Sequence, residues 1–347
     1  MARRIVVAGA GAVGASIAYH LALLGARDVV LADRAEVASG ATGKAMGGVR
    51  QQFSTAVDVA LVRESLPLFR ELGSPLFEPV GYLFLATTEE GLARLGERAE
   101  LQRSLGVPVE DVDPARIAGL RTDDVFGAVC CWEDGVAEPA EVTRELVRRA
   151  AERGVEVRER TDARALEHEV LVVACGAESR ELCPDLPVRP LCRQLVDIGP
   201  VAGLPRDLPM TLEEETGFHF RRRAETLRLA MGEPKARWGS TEEVDDALVE
   251  DWRARLAHRY PPAAGAPVVR AWAGLYDMTP DAHPIVGWAG EGVYAACGFS
   301  GHGFMQSPAV GRAAAEEILG LEPSLDLEPY RLDRFADGAT FAETSVL

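Results

Sequence analysis

The feature that most constrains this sequence is a glycine-rich turn near its start. The turn reads Gly9-Ala10-Gly11-Ala12-Val13-Gly14; an apolar run at 5–8 precedes it, and a helix predicted over 15–24 follows. In such a turn the first glycine permits the tight bend, the second lets the backbone approach a pyrophosphate, and the third lets helix and strand pack closely. The helix N-terminus then offers free N–H groups to the phosphates. The sequence therefore predicts a βαβ unit that binds a dinucleotide.

An acidic residue completes the pattern at the end of the second predicted strand, 29–31. Asp33 lies about twenty residues beyond the turn, where a carboxylate can accept hydrogen bonds from a ribose hydroxyl. This favours an adenosine ribose without a 2′-phosphate, and hence FAD or NAD rather than NADP. We also assign to the cofactor site Arg34 and the end of a later apolar strand, Ala174, Cys175 and Gly176.

The same stretch has an alternative interpretation. Residues 5–26 carry no charged side chain and follow Arg3 and Arg4, as in a signal peptide or a membrane span. However, the stretch is rich in glycine and alanine, and its glycines fall where a nucleotide turn needs them. We therefore favour the nucleotide turn.

Composition limits the classes of partner. The 347 residues include 54 acidic and 37 basic side chains, for a net charge of −17, which argues against nucleic acid. No later stretch is apolar enough to span a bilayer. The six cysteines form no C-x-x-C pair and have no histidine at metal spacing, so we expect no metal site and a reduced, cytoplasmic setting.

The order of patterns along the chain predicts an α/β protein with two domains. Mixed αβ segments at 1–53, 136–185 and 284–335 would form a discontinuous Rossmann-like cofactor domain. The blocks 54–135 and 186–283, whose later part alternates short strands and turns, would form an α+β substrate domain around an antiparallel sheet. Residues 336–347 read as a tail.

Two further glycine-rich loops extend the predicted cofactor site. One covers 36–53 and contributes Ala41, Thr42, Gly43, Lys44, Gly48 and Val49; a plain surface loop is its alternative. The other precedes a helix predicted over 307–319 and contributes Gly298, Gly301, His302, Gly303, Phe304 and Met305. A helix N-terminus stabilises nearby negative charge by about 0.3–1 kcal/mol, which suits a reduced flavin. The second loop therefore favours FAD over NAD, with an ordinary strand–helix turn as the alternative.

Together these motifs resemble the D-amino-acid oxidase-like flavoprotein family. The resemblance rests on GAGAVG with Asp33, on ACG, and on the stretches RAWAGLYDMTPDAHPIVG and GFSGHGFMQSPAVG. GGVRQQF, GYLFLAT and GHGFM are most similar to the β subunits of dye-linked L-proline dehydrogenases and sarcosine oxidases. The resemblance implies a FAD-binding domain of the glutathione-reductase-2 type under an antiparallel substrate domain. It also implies oxidation of an amino-acid or amine C–N bond to an imine, by hydride transfer to flavin N5.

Three departures from the family pattern refine that expectation. No cysteine lies near Gly274, where monomeric sarcosine oxidases attach flavin, so FAD should be non-covalent. Met305 replaces the lysine of sarcosine oxidases, which puts both sarcosine and oxygen in doubt and favours another acceptor or a partner subunit. Tyr276 stands near where glycine and D-amino-acid oxidases have a carboxylate-binding arginine.

For the substrate we predict four residues: Arg50, Tyr276, His302 and Met305. Arg50 would bind the substrate carboxylate, as the resemblance implies, or else serve the flavin or the fold. Tyr276 would donate its hydroxyl, His302 would contact flavin or help to deprotonate the amine, and Met305 would pack in the pocket.

Other polar residues, and two other functions, stay open at this point. The run Arg221, Arg222 and Arg223 is typical of a solvated strand edge, with a site role for one of them as the alternative. His283 reads as structural. The functional alternatives are a flavin-bearing scaffold with little turnover and an NAD dehydrogenase.

Overall fold

Two large sheets of different character organise the chain. The computed structural model describes residues 3–338. In chain order its strands are β1 (Ile5–Ala8), β2 (Val29–Ala32), β3 (Gly48–Val49), β4 (Phe77–Glu78), β5 (Tyr82–Ala86), β6 (Val109–Asp111), β7 (Gly127–Cys131), β8 (Gly135–Ala137), β9 (Glu156–Arg158), β10 (Val170–Val173), β11 (Arg189–Ile198), β12 (Met210–Glu213), β13 (His219–Arg223), β14 (Thr226–Ala230), β15 (Arg237–Trp238), β16 (Val268–Met278), β17 (Ile285–Gly290) and β18 (Val293–Cys297). The α-helices are α1 (Ala12–Leu23), α2 (Ala56–Leu72), α3 (Glu89–Ser104), α4 (Pro139–Ala151), α5 (Asp246–Arg259), α6 (Gly303–Ile318) and α7 (Arg334–Asp337).

The first sheet has the order β17-β18-β10-β1-β2-β9 and is parallel except at β17. β1 lies at its centre, with Ile5 opposite Val29 on one side and Val170 on the other. All four residues of β1 are buried, as expected for a strand covered on both faces. The carboxyl ends of β1, β2 and β10 therefore meet at one edge, where open α/β sheets bind ligands.

Helix α1 starts inside the glycine turn, at Ala12, and not at residue 15 as predicted from the sequence. Its buried residues include Ala15 and Ser16, whose small side chains let α6 approach closely. A Cβ on Gly311 of α6 would lie 2.1 Å from the Ser16 hydroxyl oxygen. This close packing fixes both helices, and with them the two glycine loops at their N-termini.

The second sheet has the order β15-β11-β14-β13-β12-β5-β7-β6, and β16 also pairs with β11. Its pairs are antiparallel except β12 with β5. In the long β11–β16 pair, Arg193 lies opposite Gly274 and Leu195 opposite Trp272. Because side chains alternate between faces, these residues share the face that looks toward the first sheet. A third, small sheet has the order β3-β8-β4.

Helix α6 also starts earlier than predicted, at Gly303 and not at Ser307. The prediction was wrong because it used Pro308 as the first turn, whereas this proline lies inside the helix. Proline cannot donate to the carbonyl four residues back. The Ser307 hydroxyl donates to that Phe304 oxygen instead, at 2.9 Å. His302 is thus the residue that precedes the helix.

Within the described residues, no helix combines the length and apolar character needed to cross a membrane. All six cysteines are free thiols. The predicted tail begins inside α7, and its residues 339–347 lie outside the described part of the chain.

Candidate active site

One continuous cavity of about 740 Å³ runs between the two large sheets. One end is lined by the glycine turn, Asp33 and the segment 174–178. The other end is lined by the loop 301–305 and by the second sheet. We call the second-sheet residues on this wall the roof: Tyr82, Arg193, Leu195, Met210, His219, Ala230, Gly274 and Tyr276.

At the first end, backbone approaches backbone too closely for side chains. Gly9 has φ +101°, and a Cβ there would lie 2.3 Å from the carbonyl oxygen of Ala174. A Cβ on Gly14 would lie 1.9 Å from the Gly9 oxygen. Gly11 differs, because its Cβ would meet only the Thr42 hydroxyl, at 3.2 Å. Two glycines of the turn therefore serve the fold, and the middle one leaves space on the cavity side.

The polar groups of this end suit an adenosine diphosphate. Thr42 Oγ1 accepts from the first helical N–H, that of Ala12, at 3.0 Å. The Asp33 carboxylate accepts from the N–H of Ala10 at 2.7 Å and of Ala35 at 2.8 Å. These bonds fix the carboxylate, and each oxygen keeps a lone pair for a ribose hydroxyl.

Arg34 lies at the mouth of the cavity and pairs with Glu178 at 2.5 Å and Glu181 at 2.6 Å. The short segment between β9 and β10 still reaches the cavity, which Thr161 and Arg164 help to line. The segment is short, but its residues still form part of the wall at the adenosine end of the cavity.

Three neighbouring carbonyls of the loop after Thr42 are held by side chains of the second sheet. Trp272 Nε1 donates to Lys44 O at 3.0 Å. Arg228 Nη1 donates to Ala45 O at 3.2 Å, and Arg221 Nε donates to Met46 O at 2.6 Å. We call Trp272, Arg228 and Arg221 the carbonyl clamp. It joins the cofactor loop to three different strands.

Carboxylates neutralise the two clamp arginines. Arg228 makes a two-bond pair with Asp197 at 2.9 and 3.0 Å, and Arg221 pairs with Glu138 at 2.9 Å. The prediction of a solvated edge is therefore wrong for Arg221, whose side chain is 2% exposed, whereas that of Arg223 is 46% exposed. Both side chains lie on the same face of β13, since they are two residues apart, and the contrast arises because Arg223 is the last residue of the strand.

The far end of the cavity is formed by the loop before α6. The His302 ring packs edge-on against Phe53, with centroids 5.0 Å apart. The Tyr276 ring lies against Gly301, where a Cβ would come within 2.4 Å of it. Asp277 accepts from the N–H of Gly298 at 2.7 Å, and burial raises the pKa of this carboxyl. Burial also raises the pKa of Tyr276, so its hydroxyl stays a donor.

Arg50 lies on this wall but is fully buried. Its guanidinium carbon is 4.1 Å from the centroid of the Phe53 ring, and Nη1 donates to Gln52 O. Behind it, Asp134 accepts from the Gln51 N–H at 3.0 Å and from its amide nitrogen at 2.9 Å. Burial raises the pKa of Asp134 to about 6. Arg50 is thus held rigidly within the wall.

Sequence reasoning missed two polar residues of the roof, Arg193 and His219. His219 Nδ1 lies 2.8 Å from Gly217 O, so Nδ1 carries the hydrogen and Nε2 is the acceptor of the neutral ring. Burial, with added repulsion from Arg50 and Arg193, lowers the pKa of His219 to about 4. The only signal available was alternation in two predicted strands, which says which residues share a face but not what the face covers.

Most residues predicted for cofactor and substrate line the cavity. They are Gly9, Gly11, Ala12, Val13, Asp33, Arg34, Ala41, Thr42, Lys44, Gly48, Arg50, Ala174, Cys175, Gly176, Tyr276, Gly301, His302, Gly303, Phe304 and Met305.

Four predicted cofactor residues do not line the cavity: Gly14, Gly43, Val49 and Gly298. The three glycines are needed where chain segments meet, since a Cβ on Gly43 or Gly298 would lie 2.4 Å from its nearest neighbour. Val49 is fully buried in the core beneath the second sheet.

His283 lies away from the cavity and has a structural environment. Its Nε2 is 2.8 Å from Asp58 Oδ2. Burial opposes the charged ring, but the hydrogen bond and charge of Asp58 outweigh it and raise the pKa of His283.

These walls fit FAD. The backbone around Gly11 leaves a path for a pyrophosphate, and Asp33 is an acceptor for ribose. The opposite end has a second helix N-terminus, at Gly303, beside a chamber with aromatic and cationic walls. One dinucleotide with a flat ring system would span both ends.

Comparisons with known proteins agree with this geometry. The family described as FAD dependent oxidoreductase matches residues 4–317. The bovine (Bos taurus) FAD-dependent oxidoreductase domain-containing protein 1 is 28% identical over 99% of this chain and 87% of its own length. Mouse (Mus musculus) mitochondrial sarcosine dehydrogenase is 25% identical over 97% of this chain, which spans only 42% of that protein. The crystal structure of L-proline dehydrogenase from P. horikoshii has a TM-score of 0.89 at 26% identity, covering 97% of this chain and 98% of that one.

Proposed function

This chain belongs to the FAD-dependent oxidoreductase family, whose members act on amino-acid and amine substrates, and from that premise we propose that it oxidises a small amino acid or secondary amine with a free carboxylate. The C–N bond becomes an imine as the substrate loses a hydride and a proton. When bound, FAD supplies the two-electron acceptor. Proline, sarcosine, glycine and D-amino acids represent the class, and the imine hydrolyses in water.

The observation that supports an anionic substrate is the excess of positive charge around the chamber. Arg50 and Arg193 both lower the pKa of His219, so both fields reach the same point of the roof. The nearby acids are engaged, since Glu242 pairs with Lys44 and Asp277 accepts from Gly298. A carboxylate entering the chamber would therefore lie in the electrostatic field of two arginines that line it.

The chain's own residues supply orientation and exclusion of water. His219 is neutral near pH 7, and its Nε2 can accept a hydrogen bond from the substrate amine. Tyr276 stays protonated and can donate its hydroxyl. Phe304 and Met305 are buried apolar residues of the chamber wall, and they would help to keep water from the reacting carbon.

The test is anaerobic reduction of the FAD-loaded protein with a panel of amino acids and amines, followed by the loss of flavin absorbance. We expect small carboxylate-bearing amines to bleach the flavin and their decarboxylated counterparts to do so far more slowly. If no amine bleaches it, while dithionite does, the scaffold function replaces the enzymatic one.

We further propose that the electrons leave to an acceptor other than oxygen. Met305, a neutral side chain that is 8% exposed, occupies the position where similar oxidases have a lysine. Mixing the reduced protein with oxygen, and separately with an artificial dye, tests this. Reoxidation should be faster with the dye; equal or faster reoxidation by oxygen would make the protein an oxidase.

A further inference from the structure

One face of the second sheet carries three arginines, Arg193, Arg221 and Arg228, and they do not have the same partners. Arg221 and Arg228 both belong to the carbonyl clamp, and each also pairs with a carboxylate, Glu138 or Asp197. Their charges and donors are used within the protein. They are therefore not available to a ligand.

Arg193 is the exception. It extends from the middle of β11, lines the cavity and is partly exposed. Its Nε and Nη1 atoms are buried, and across residues 3–338 neither has a hydrogen-bond acceptor. Leaving a buried charged donor without an acceptor is unfavourable, because the donor has lost its hydrogen bonds to water and gained none in the protein. A ligand with acceptor oxygens would remove that cost.

The neighbours of Arg193 leave room for such a ligand. Gly274 lies directly opposite on β16, and another small roof residue, Ala230, pairs with His219. The guanidinium carbon is 5.8 Å from the centroid of the Tyr276 ring. A carboxylate beside Arg193 would thus have the Tyr276 hydroxyl within the same chamber as a second donor.

Arg50 is the competing anchor, and its surroundings differ. None of its surface is exposed even though it lies in the cavity wall, whereas Arg193 is partly open. Its guanidinium lies over Phe53 and donates to the Gln52 carbonyl. Arg50 can supply charge through the wall, but the Arg193 side chain is the one a ligand can touch.

We propose that Arg193 binds the carboxylate of the substrate, and that Arg50 is a positioning residue behind it. This assignment rests on the proposed function. It restricts the substrate to amino acids with a free carboxylate, and it excludes the corresponding amides, esters and decarboxylated amines. It also sets the orientation, because the carboxylate is fixed at β11 and the amine then faces His219.

The experiment titrates the FAD-loaded protein with 2-furoate and with 2-furamide, its uncharged shape match, and follows the perturbation of flavin absorbance. In the unmodified protein furoate should bind far more tightly than furamide. Arg193→Met should weaken furoate binding roughly 30-fold or more and leave furamide within about threefold, as expected for a charged hydrogen-bonded pair. Arg193→Lys should lie between the two.

Arg189→Met is the matched control. It removes the same group from the same strand, but Arg189 is exposed and stacks on Trp238. It should leave both ligands unchanged. Arg193→Lys retains a cation and should fold if the methionine variant does not, so the comparison can still be made.

Three results would overturn the assignment. In the first, furoate does not perturb the unmodified protein. In the second, Arg193→Met weakens both ligands equally. In the third, Arg50→Met abolishes the preference for furoate while Arg193→Met keeps it. None of these depends on turnover, so a failure of amino acids to bleach the flavin would refute the proposed function alone.

Discussion

The two ends of the cavity are built by different means. The nucleotide end is made by backbone from one short stretch, with Gly9 and Gly14 packed against other main-chain atoms. The roof end is made by side chains from strands that are distant in sequence, such as β5, β13 and β16. A single added Cβ can therefore disrupt the nucleotide end. The roof end should instead respond gradually to changes of charge and hydrogen bonding.

The difference also separates what each end recognises. Backbone N–H groups and a helix terminus bind a phosphate of any dinucleotide, and the fold can retain them while the substrate changes. Side chains on a sheet face can be replaced one at a time. Residues such as Arg193 and His219 therefore determine substrate specificity, and the glycine turn determines cofactor binding.

The strongest test of the backbone-built end compares two glycines of one turn. Gly9→Ala should lower the free energy of unfolding by about 4 kcal/mol or more, because its Cβ would meet the Ala174 carbonyl and its φ is +101°. Gly11→Ala should leave unfolding nearly unchanged without FAD and weaken FAD binding at least about tenfold, because its Cβ would point into the pyrophosphate path. Urea unfolding and FAD titration measure the two effects.

Gly96→Ala is the control for that comparison. Gly96 lies inside α3, and its Cβ would meet nothing within 4 Å. The change should stabilise the protein by about 0.5–1 kcal/mol and leave FAD binding unaltered. If Gly9→Ala were as well tolerated as Gly11→Ala, the distinction between fold and ligand glycines would be lost.

A second test divides stability from cofactor binding at the carbonyl clamp. Arg228→Met should lower the free energy of unfolding by about 3 kcal/mol, because buried Asp197 loses its main partner. Adding Asp197→Leu should recover most of that loss, but FAD should still bind more weakly because Ala45 O has lost its donor. Unfolding at fixed FAD and FAD titration separate the effects.

For the single and double clamp variants, the control is Arg223→Met, which removes an exposed arginine. It should change the free energy of unfolding by less than about 1 kcal/mol. Full recovery of FAD affinity in the double variant would mean that the clamp serves the fold alone.

These contrasts also explain how much the sequence could reveal. The glycine turn and Asp33 are readable because the whole binding unit lies within about thirty residues and its geometry is local. The start of α6 was misjudged because the Ser307 hydroxyl replaces the donor that Pro308 lacks, a substitution with no signal in the helix pattern.

The roof was harder for a different reason. The alternating patterns around Arg193 and His219 predicted strands, but not that β11 pairs with both β14 and β16, or that β12 runs parallel to β5. Without strand order, a face cannot be assembled from its strands. The resemblance drew attention to Arg50 in the contiguous GGVRQQF stretch, while Arg193 had no motif to indicate it.

A smaller effect concerns the pH dependence of the roof. The pKa of His219 falls from its ordinary value near 6.5 to about 4 on folding, so the folded protein resists the proton that the unfolded chain accepts. Its contribution to stability is therefore present above pH 6.5 and is lost as the pH falls toward 4. By pH 5 the loss should be about 2 kcal/mol. His219→Gln should lack this dependence.

The measurement is urea unfolding of both proteins at pH 7.5, 6 and 5, with the difference between them isolating His219 from other groups. His20, whose pKa burial also lowers to about 4, remains in both and cancels. A difference that stays constant with pH would mean that folding does not lower the pKa of His219.

The smallest expected effect lies where the two ends meet, at the ion pair of Lys44 with Glu242. This pair ties the cofactor loop to the segment before α5, but the two side chains are 29% and 32% exposed. Exposed pairs contribute less than about 1 kcal/mol and are screened by salt. Glu242→Gln should therefore speed FAD release only about two- to threefold at low salt, and not at all near 1 M salt. Glu243→Gln removes the same charge from the neighbouring exposed residue and should have no effect. A large, salt-independent acceleration by Glu242→Gln would show instead that one surface ion pair holds the cofactor loop. The end built from side chains would then respond to a single substitution as abruptly as the end built from backbone.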